Sequence, residues 1–148
     1  MNLNESRVAP KETTSSRLLL ENDVRQIPRL AAFVESAAEA AALDASATMG
    51  VTLALEEAVT NIMMYAYSEG VKGDIVVESS ISGGNLTFVV SDSGKPFDPT
   101  AAAEADITLG VEERNIGGLG IHLVRKLMDG VVYKRAGGKN ILTLTKKI

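Results

Sequence analysis

Between Val51 and Ala66 the apolar residues recur at helical spacing. At about 100° per residue, Val51, Ala54, Leu55, Ala58, Val59, Ile62, Tyr65 and Ala66 fall on one arc. Thr52, Glu56 and Thr60 fall on the opposite, solvent-like side. The pattern predicts a helix from Ala45-Ser46 to about Tyr67, broken by Gly70 and Gly73. Ile27 to about Leu43, with Pro28 in its first turn, reads as an alanine-rich helix before it. Arg17 to Val24 reads as a first strand. Two β-rich runs, Asp74–Ile81 and Asn85–Ser91, flank Ser82-Gly83-Gly84, a hairpin signal. A second hairpin is expected from Gly130–Arg135 and Ile141–Lys147 around "AGGKN". "GGLGIHLVRKLMD" (117–129) reads as a glycine-rich turn running into a helix, and residues 100–116 as a loop with or without a short helix. Paired strands with helices between them predict an α/β chain of the α+β two-layer kind, a mixed sheet covered on one face by helices.

Three places depart from this patterning. Glu57 and Asn61 lie at the border of the apolar arc, stacked one turn apart, with Leu53 and Met64 beside them. A carboxylate and an amide so placed suit the edge of a pocket, where they would hold a water and a divalent cation against an anion. Spacing alone equally describes two surface polars facing a loop. The second departure is Asp92, which continues the face of Leu86, Phe88 and Val90 in "NLTFVVSD". If that face is the core, the carboxylate needs hydrogen-bond donors. Gly94 follows, where the chain turns tightly or lets something approach its backbone. A strand-ending turn residue is the plainer reading of Asp92, and an acceptor for a ligand amino group the sharper one. The third is Gly117, Gly118 and Gly120 at a helix start, whose free amides form an anion site. The segment is neither a phosphate-binding GK[ST] loop nor a dinucleotide fingerprint.

Composition narrows the chemistry. The chain has 148 residues, with 45% hydrophobic and 23% charged, which fits one globular domain over 17–148 behind a polar lead-in, residues 1–16. It has no cysteine and a single histidine, His122, so thiolate chemistry and a multi-histidine metal site are excluded. A net charge of −4 argues against nucleic acid or an anionic membrane as partner. No stretch resembles a signal peptide or a membrane span, and a cytoplasmic location is expected.

In order, "EEAVTN", "DSGKPFDP" and "GGLGIHLVRKLMD" resemble the N, G1 and G2 boxes of the GHKL ATPases. They look closest to the stand-alone anti-sigma-factor serine/threonine kinases, over residues 17 to 147. The resemblance implies a Bergerat-type fold that binds ATP with Mg²⁺. Glu57 then matches the general base and Asn61 the Mg²⁺ ligand. Asp92 matches the acceptor for the adenine amino group, with Gly94 letting the base approach. Gly117, Gly118, Leu119 and Gly120 match the phosphate-binding segment, and Arg114 a basic residue near it. There are departures: Pro96 replaces the second glycine of the family's DxGxG pattern, and the threonine of the last hairpin is not evident in "GGKN"; the segment between Asp98 and Gly117 is short, as in the anti-sigma kinases and unlike the gyrase type. His122 is expected to be an exposed helix residue. The activity implied is phosphorylation of an anti-anti-sigma partner with a STAS domain, with a sigma factor as sequestered partner and possible homodimerisation. The rivals are an ATP-gated binding module without phosphoryl transfer and the catalytic half of a split histidine kinase. Against the latter, no phosphoacceptor histidine on a dimerisation helix pair is found.

Overall fold

The computed structural model describes residues 14–101 and 116–148. Strand β1 (Thr14–Glu21) leads through a single 3₁₀ turn into α1 (Ile27–Ala40) and α2 (Ala45–Tyr65). The hairpin β2 (Asp74–Ser82) and β3 (Asn85–Asp92) follows, then α3 (Ile116–Leu127), and the hairpin β4 (Gly130–Ala136) and β5 (Lys139–Lys147). Both hairpins turn through Gly-Gly pairs: φ is 61° and 82° at Gly83 and Gly84, and 61° and 75° at Gly137 and Gly138. A two-residue turn that matches strand twist requires positive φ at both positions, which glycine adopts without strain.

The strands lie in the order β1-β2-β3-β5-β4, and all four ladders are antiparallel. The two-layer α+β arrangement is as expected, but the sheet is antiparallel throughout rather than mixed. Two helices separate β1 from β2, so the chain crosses the helical layer twice and returns antiparallel. Strands β3 and β4 run parallel to each other, but β5 lies between them.

One sheet face is buried. Strand β3 alternates strictly, with Leu86, Phe88 and Val90 inside, and Ile75, Val77, Leu142 and Leu144 join them. Leu30 and Val34 of α1, Leu55 and Val59 of α2, and Ile121 and Val124 of α3 complete the same core. Each such side chain contributes about 1.5–3 kcal/mol relative to exposure. On the other face Leu19 and Val132 are 48% and 63% exposed. No helix among the described residues is long and apolar enough to cross a membrane.

Several element boundaries differ from expectation. Strand β1 runs three residues earlier, because Thr14, Ser15 and Ser16 pair with β2 and so leave the expected lead-in. It stops at Glu21 because Asn22 turns away to bond Gly73 and Val71, and the Asp23 carboxylate caps the 3₁₀ turn. Helix α1 ends at Ala40, where Leu43 N–H donates back to Ala38 and Ala42 N–H to Glu39, with Ala42 left-handed at φ 60°. Residues 117–120 are not a turn before α3 but its first turns. The remaining lead-in, residues 1–13, and residues 102–115 of the loop expected across 100–116 lie outside the described residues.

Candidate active site

Helix α2 is the spine of the site. The Asp44 side chain caps it by accepting from Ala47 N–H at 2.8 Å, and its apolar arc sinks into the core. That rotation sends Glu57 and Asn61 toward α3. Glu57 is half-buried, whereas Asn61 is only 2% exposed, deeper than its border position suggests. Asn61 Nδ2 donates to Glu57 Oε2 at 3.5 Å, at the outer limit for such a bond. Asn61 Oδ1 is buried without a partner. An unmet buried acceptor costs about 1–3 kcal/mol. An amide oxygen in that state suits a hard cation such as Mg²⁺. Glu56, expected on the solvent side, is half-buried as well.

Helix α3 brings the glycine segment to this pair. A Cβ at Gly120 would sit 2.4 Å from Glu57 Oε2 and 2.9 Å from Asn61 Nδ2. Farther along, a Cβ at Gly50 would be 3.3 Å from Leu127 Cδ2, so α2 and α3 pack closely. Gly117, Gly118 and Leu119 form the start of α3, where the first amides of any helix lack intrahelical acceptors. Arg114 lies outside the described residues.

Asp92, at the end of β3, is 3% exposed. Its Oδ1 accepts from Gly94 N–H at 2.9 Å and from Asn140 Nδ2 at 2.8 Å. Its Oδ2 is buried without a partner. Burial pushes the carboxyl above its ordinary range, opposed by those two donors and by the Arg135 charge. The site therefore holds a second orphaned acceptor, suited to an N–H donor on a ligand.

Gly94 has a structural task of its own. A Cβ there would lie 2.3 Å from the Ala66 carbonyl oxygen, which also accepts from Lys95 N–H at 2.8 Å. The loop after Asp92 is thereby fastened to the end of α2, and Tyr65 and Phe97 stack at 5.6 Å between ring centres. Tyr67 adds a tie, donating to the Asp74 carbonyl at 2.9 Å and accepting from Ser93 N–H at 3.1 Å.

Sequence reasoning missed Asn140. Its Nδ2 donates to Asp92 Oδ1 and, at 2.9 Å, to the Lys95 carbonyl. Its Oδ1 accepts from Phe97 N–H at 3.0 Å and from Tyr133 O–H at 2.6 Å. It stands where the expected threonine is absent, and it joins β3, β4, β5 and the loop. The usable signal was the alternation Asn140, Leu142, Leu144, which puts the asparagine on the core face. His122 is also not as expected: it is half-buried, and its Nε2 is buried without a partner.

Glu57, Asn61 and Gly120 thus meet directly, and Asp92 is tied through Gly94 to Ala66, which caps the same helix just past Asn61. Among the described residues no group of three acidic or histidine side chains forms a metal site. A cation here would rest on Asn61 and on oxygens of its ligand.

Comparison with known proteins agrees with this geometry. The chain is 31% identical over 94 residues to the serine/threonine-protein kinase BtrW of Bordetella bronchiseptica, covering 64% of this chain and 66% of the relative. It is 34% identical over 100 residues to the serine-protein kinase RsbW of Bacillus cereus, covering 65% and 61%. RsbW of Bacillus anthracis matches at the same level. The chain thus spans less than two thirds of either kinase's length. Residues 20–146 match the histidine kinase-like ATPase domain, a span that runs from the end of β1 into β5 and takes in both Asn61 and Asp92. On that match and on the three motifs set along α2, β3 and α3, this chain belongs to the histidine kinase-like ATPase domain family.

Proposed function

We propose that this protein is an ATP-dependent serine/threonine protein kinase acting in the cytoplasm on an anti-anti-sigma factor with a STAS domain, and that it sequesters a sigma factor. The observation that carries the reading is the pair of buried, unpartnered acceptors, Asn61 Oδ1 on α2 and Asp92 Oδ2 at the end of β3. They match the two ends of a nucleotide: a cation-bearing triphosphate and an amino-bearing base. The names of the related kinases supply the direction of transfer.

In this reading Asp92 Oδ2 accepts from the adenine amino group, while Asn140 holds the other oxygen still. Gly94 lets the loop lie close to the base. The amides of Gly117, Gly118, Leu119 and Gly120 face the phosphates at the positive end of α3, with Arg114 beside them. Mg²⁺, held through Asn61, would neutralise phosphate charge. Glu57 accepts the proton of the partner's serine or threonine hydroxyl as its oxygen bonds the γ-phosphorus. The bond from that phosphorus to the ADP oxygen breaks, and ADP leaves with the electron pair. Homodimerisation is part of the proposal, to be checked by light scattering.

The test is incubation with labelled ATP and purified STAS proteins encoded in the same genome. Phosphate should appear on a serine or threonine of one of them. Retained ATP binding without transfer to any of them would make the chain an ATP-gated binding module.

A further inference from the structure

A furrow of about 680 Å³ runs along the outer side of α1 and α2, on the face of α2 next to the one that carries Glu57 and Asn61. Its apolar floor is Leu43, Met49 and Leu53, and its rim is Glu35, Glu39 and Glu56. Met49 is 73% exposed and Leu53 43%, four residues apart on one helix face. Neither belongs to the core.

The charge around it is one-sided. From Leu30 to Val71 the chain has no lysine or arginine, yet it carries Glu35, Glu39, Asp44, Glu56, Glu57 and Glu69. The ion pairs among the described residues join Asp23 to Arg25 and Asp129 to Lys146, so none reaches the furrow's rim. The lining on α2 extends from Ala45 to Glu56 at helical spacing, about 16 Å at 1.5 Å per residue. That is the length of a three-turn helix laid alongside, the helix-in-groove mode of recognition.

We propose that this furrow docks an amphipathic helix of a partner protein, one whose apolar ridge is flanked by lysine or arginine. The ridge covers Met49 and Leu53, and its cations face Glu35, Glu39 and Glu56. A second copy of the chain is the wrong occupant: a two-fold contact through this furrow would set glutamates against glutamates. The docking does not depend on phosphoryl transfer, and its test uses no transfer assay.

The probe is a labelled synthetic helix of about 14 residues, four turns, with leucines on one face and lysines beside them. Controls are the same peptide with glutamate for lysine, and a scrambled peptide that keeps the composition. Binding is read by fluorescence anisotropy, and the site by amide chemical-shift perturbation. Met49→Ser/Leu53→Ser and Glu35→Lys/Glu39→Lys change exposed side chains, so circular dichroism and ATP affinity should match wild type. The basic amphipathic helix should bind, perturb residues around Leu43, Met49 and Leu53, and weaken in high salt. Each double variant should lose about ten-fold or more in affinity, as truncation or reversal of interface anchors does. The acidic and scrambled peptides should not bind. The proposal is overturned if the basic helix fails to bind, if both variants bind it as wild type does, or if the perturbed amides lie elsewhere. It is equally overturned if sedimentation reveals self-association that Met49→Ser/Leu53→Ser abolishes, because the occupant is then a second copy.

Discussion

The two ends of the site are built differently. At the Asp92 end, one carboxylate oxygen is held by two donors at 2.8 and 2.9 Å, and the asparagine behind it makes four hydrogen bonds of its own. At the Glu57 end, one contact of 3.5 Å joins Asn61 to the carboxylate, and among the described residues no other side-chain hydrogen bond holds either group. Each end leaves one acceptor unmet, but only the first fixes where that acceptor points. A base is a flat, rigid object, and selecting it needs an acceptor already in position. A triphosphate with its cation is flexible and charged, and it can organise the side chains that receive it. On the proposed function, the contrast separates a preformed recognition end from a chemical end that the bound substrate would complete.

The largest expected effect strikes the loose end. Glu57→Gln keeps size and hydrogen-bonding capacity but cannot take a proton. Phosphoryl transfer should fall by about 10²–10⁴, the usual share of a general base, with ATP affinity within a few-fold of wild type. Glu56→Gln, one residue away on the furrow side, is the control and should transfer normally. Transfer at the wild-type rate in Glu57→Gln would remove the base from this end altogether.

The next effect strikes the rigid end. Asp92→Asn can keep Oδ1 against Gly94 and Asn140, but it presents an NH₂ where Oδ2 now waits. Two donors then face each other, and ATP affinity should fall by about 10²-fold, the loss of one charged hydrogen bond with repulsion added. GTP should bind poorly to wild type for the same reason, since guanine offers a carbonyl at that place. Calorimetry on both proteins decides it, and equal affinities for ATP would refute the role of Asp92.

Two asparagines test the contrast without any ligand. Asn140→Ala strips partners from Asp92 Oδ1, Lys95, Phe97 and Tyr133, and should lower stability by about 1–3 kcal/mol. For a chain of this length that is a loss of roughly 2–12 °C in Tm. Asn61→Ala removes an acceptor that already has no partner, so ligand-free stability should stay within about 1 kcal/mol of wild type. The affinity of Asn61→Ala for ATP should instead lose its dependence on Mg²⁺. If calorimetric scans gave the two variants the same Tm, the ends would be equally organised.

Much of this arrangement was legible from the chain, for identifiable reasons. Glu57, Asn61 and Asp92 each interrupt a periodic apolar pattern, and a polar residue on a core face is conspicuous. The hairpins were legible because Gly-Gly is the local chemistry of their turns. Asn140 was not, because beside Gly137, Gly138 and Lys139 an asparagine reads as one more turn residue. Its importance comes from lying opposite Asp92 in the β3–β5 ladder, a register that only the folded sheet creates. The start of β1 was hidden likewise: Thr14, Ser15 and Ser16 have little apolar pattern and are extended because β2 pairs with them. The glycines of α3 looked like a turn because glycine is a poor helix former, a local preference overridden where α3 packs on α2.

The smallest expected effect concerns the proton on Asp92. Its folded pKa lies above the ordinary 3.8 because burial disfavours the charged form more than Asn140, Gly94 and Arg135 favour it. Between those two values the folded protein binds more protons than the unfolded chain, so stability falls as pH rises through that window. The sign is opposite to that of a carboxylate held by a salt bridge. Asp23, which Arg25 holds down to about 2, shows that ordinary behaviour. Asp23 titrates alike in wild type and in Asp92→Asn, so the difference between the two isolates Asp92. In urea titrations from about pH 3 to pH 7, wild type without nucleotide should lose ground to Asp92→Asn as pH rises. If adenine binds here as proposed, it should reverse the sign, because its amino group would give Oδ2 the donor that burial denies it and so favour the ionised form. ATP binding within that window should therefore release more protons from wild type than from Asp92→Asn, the protons of ATP itself being common to both. Calorimetry in buffers of different ionisation enthalpy reads that difference directly. A wild-type protein that releases no more than Asp92→Asn would mean that adenine does not meet Asp92, and that the rigid end of the site is rigid for some other ligand.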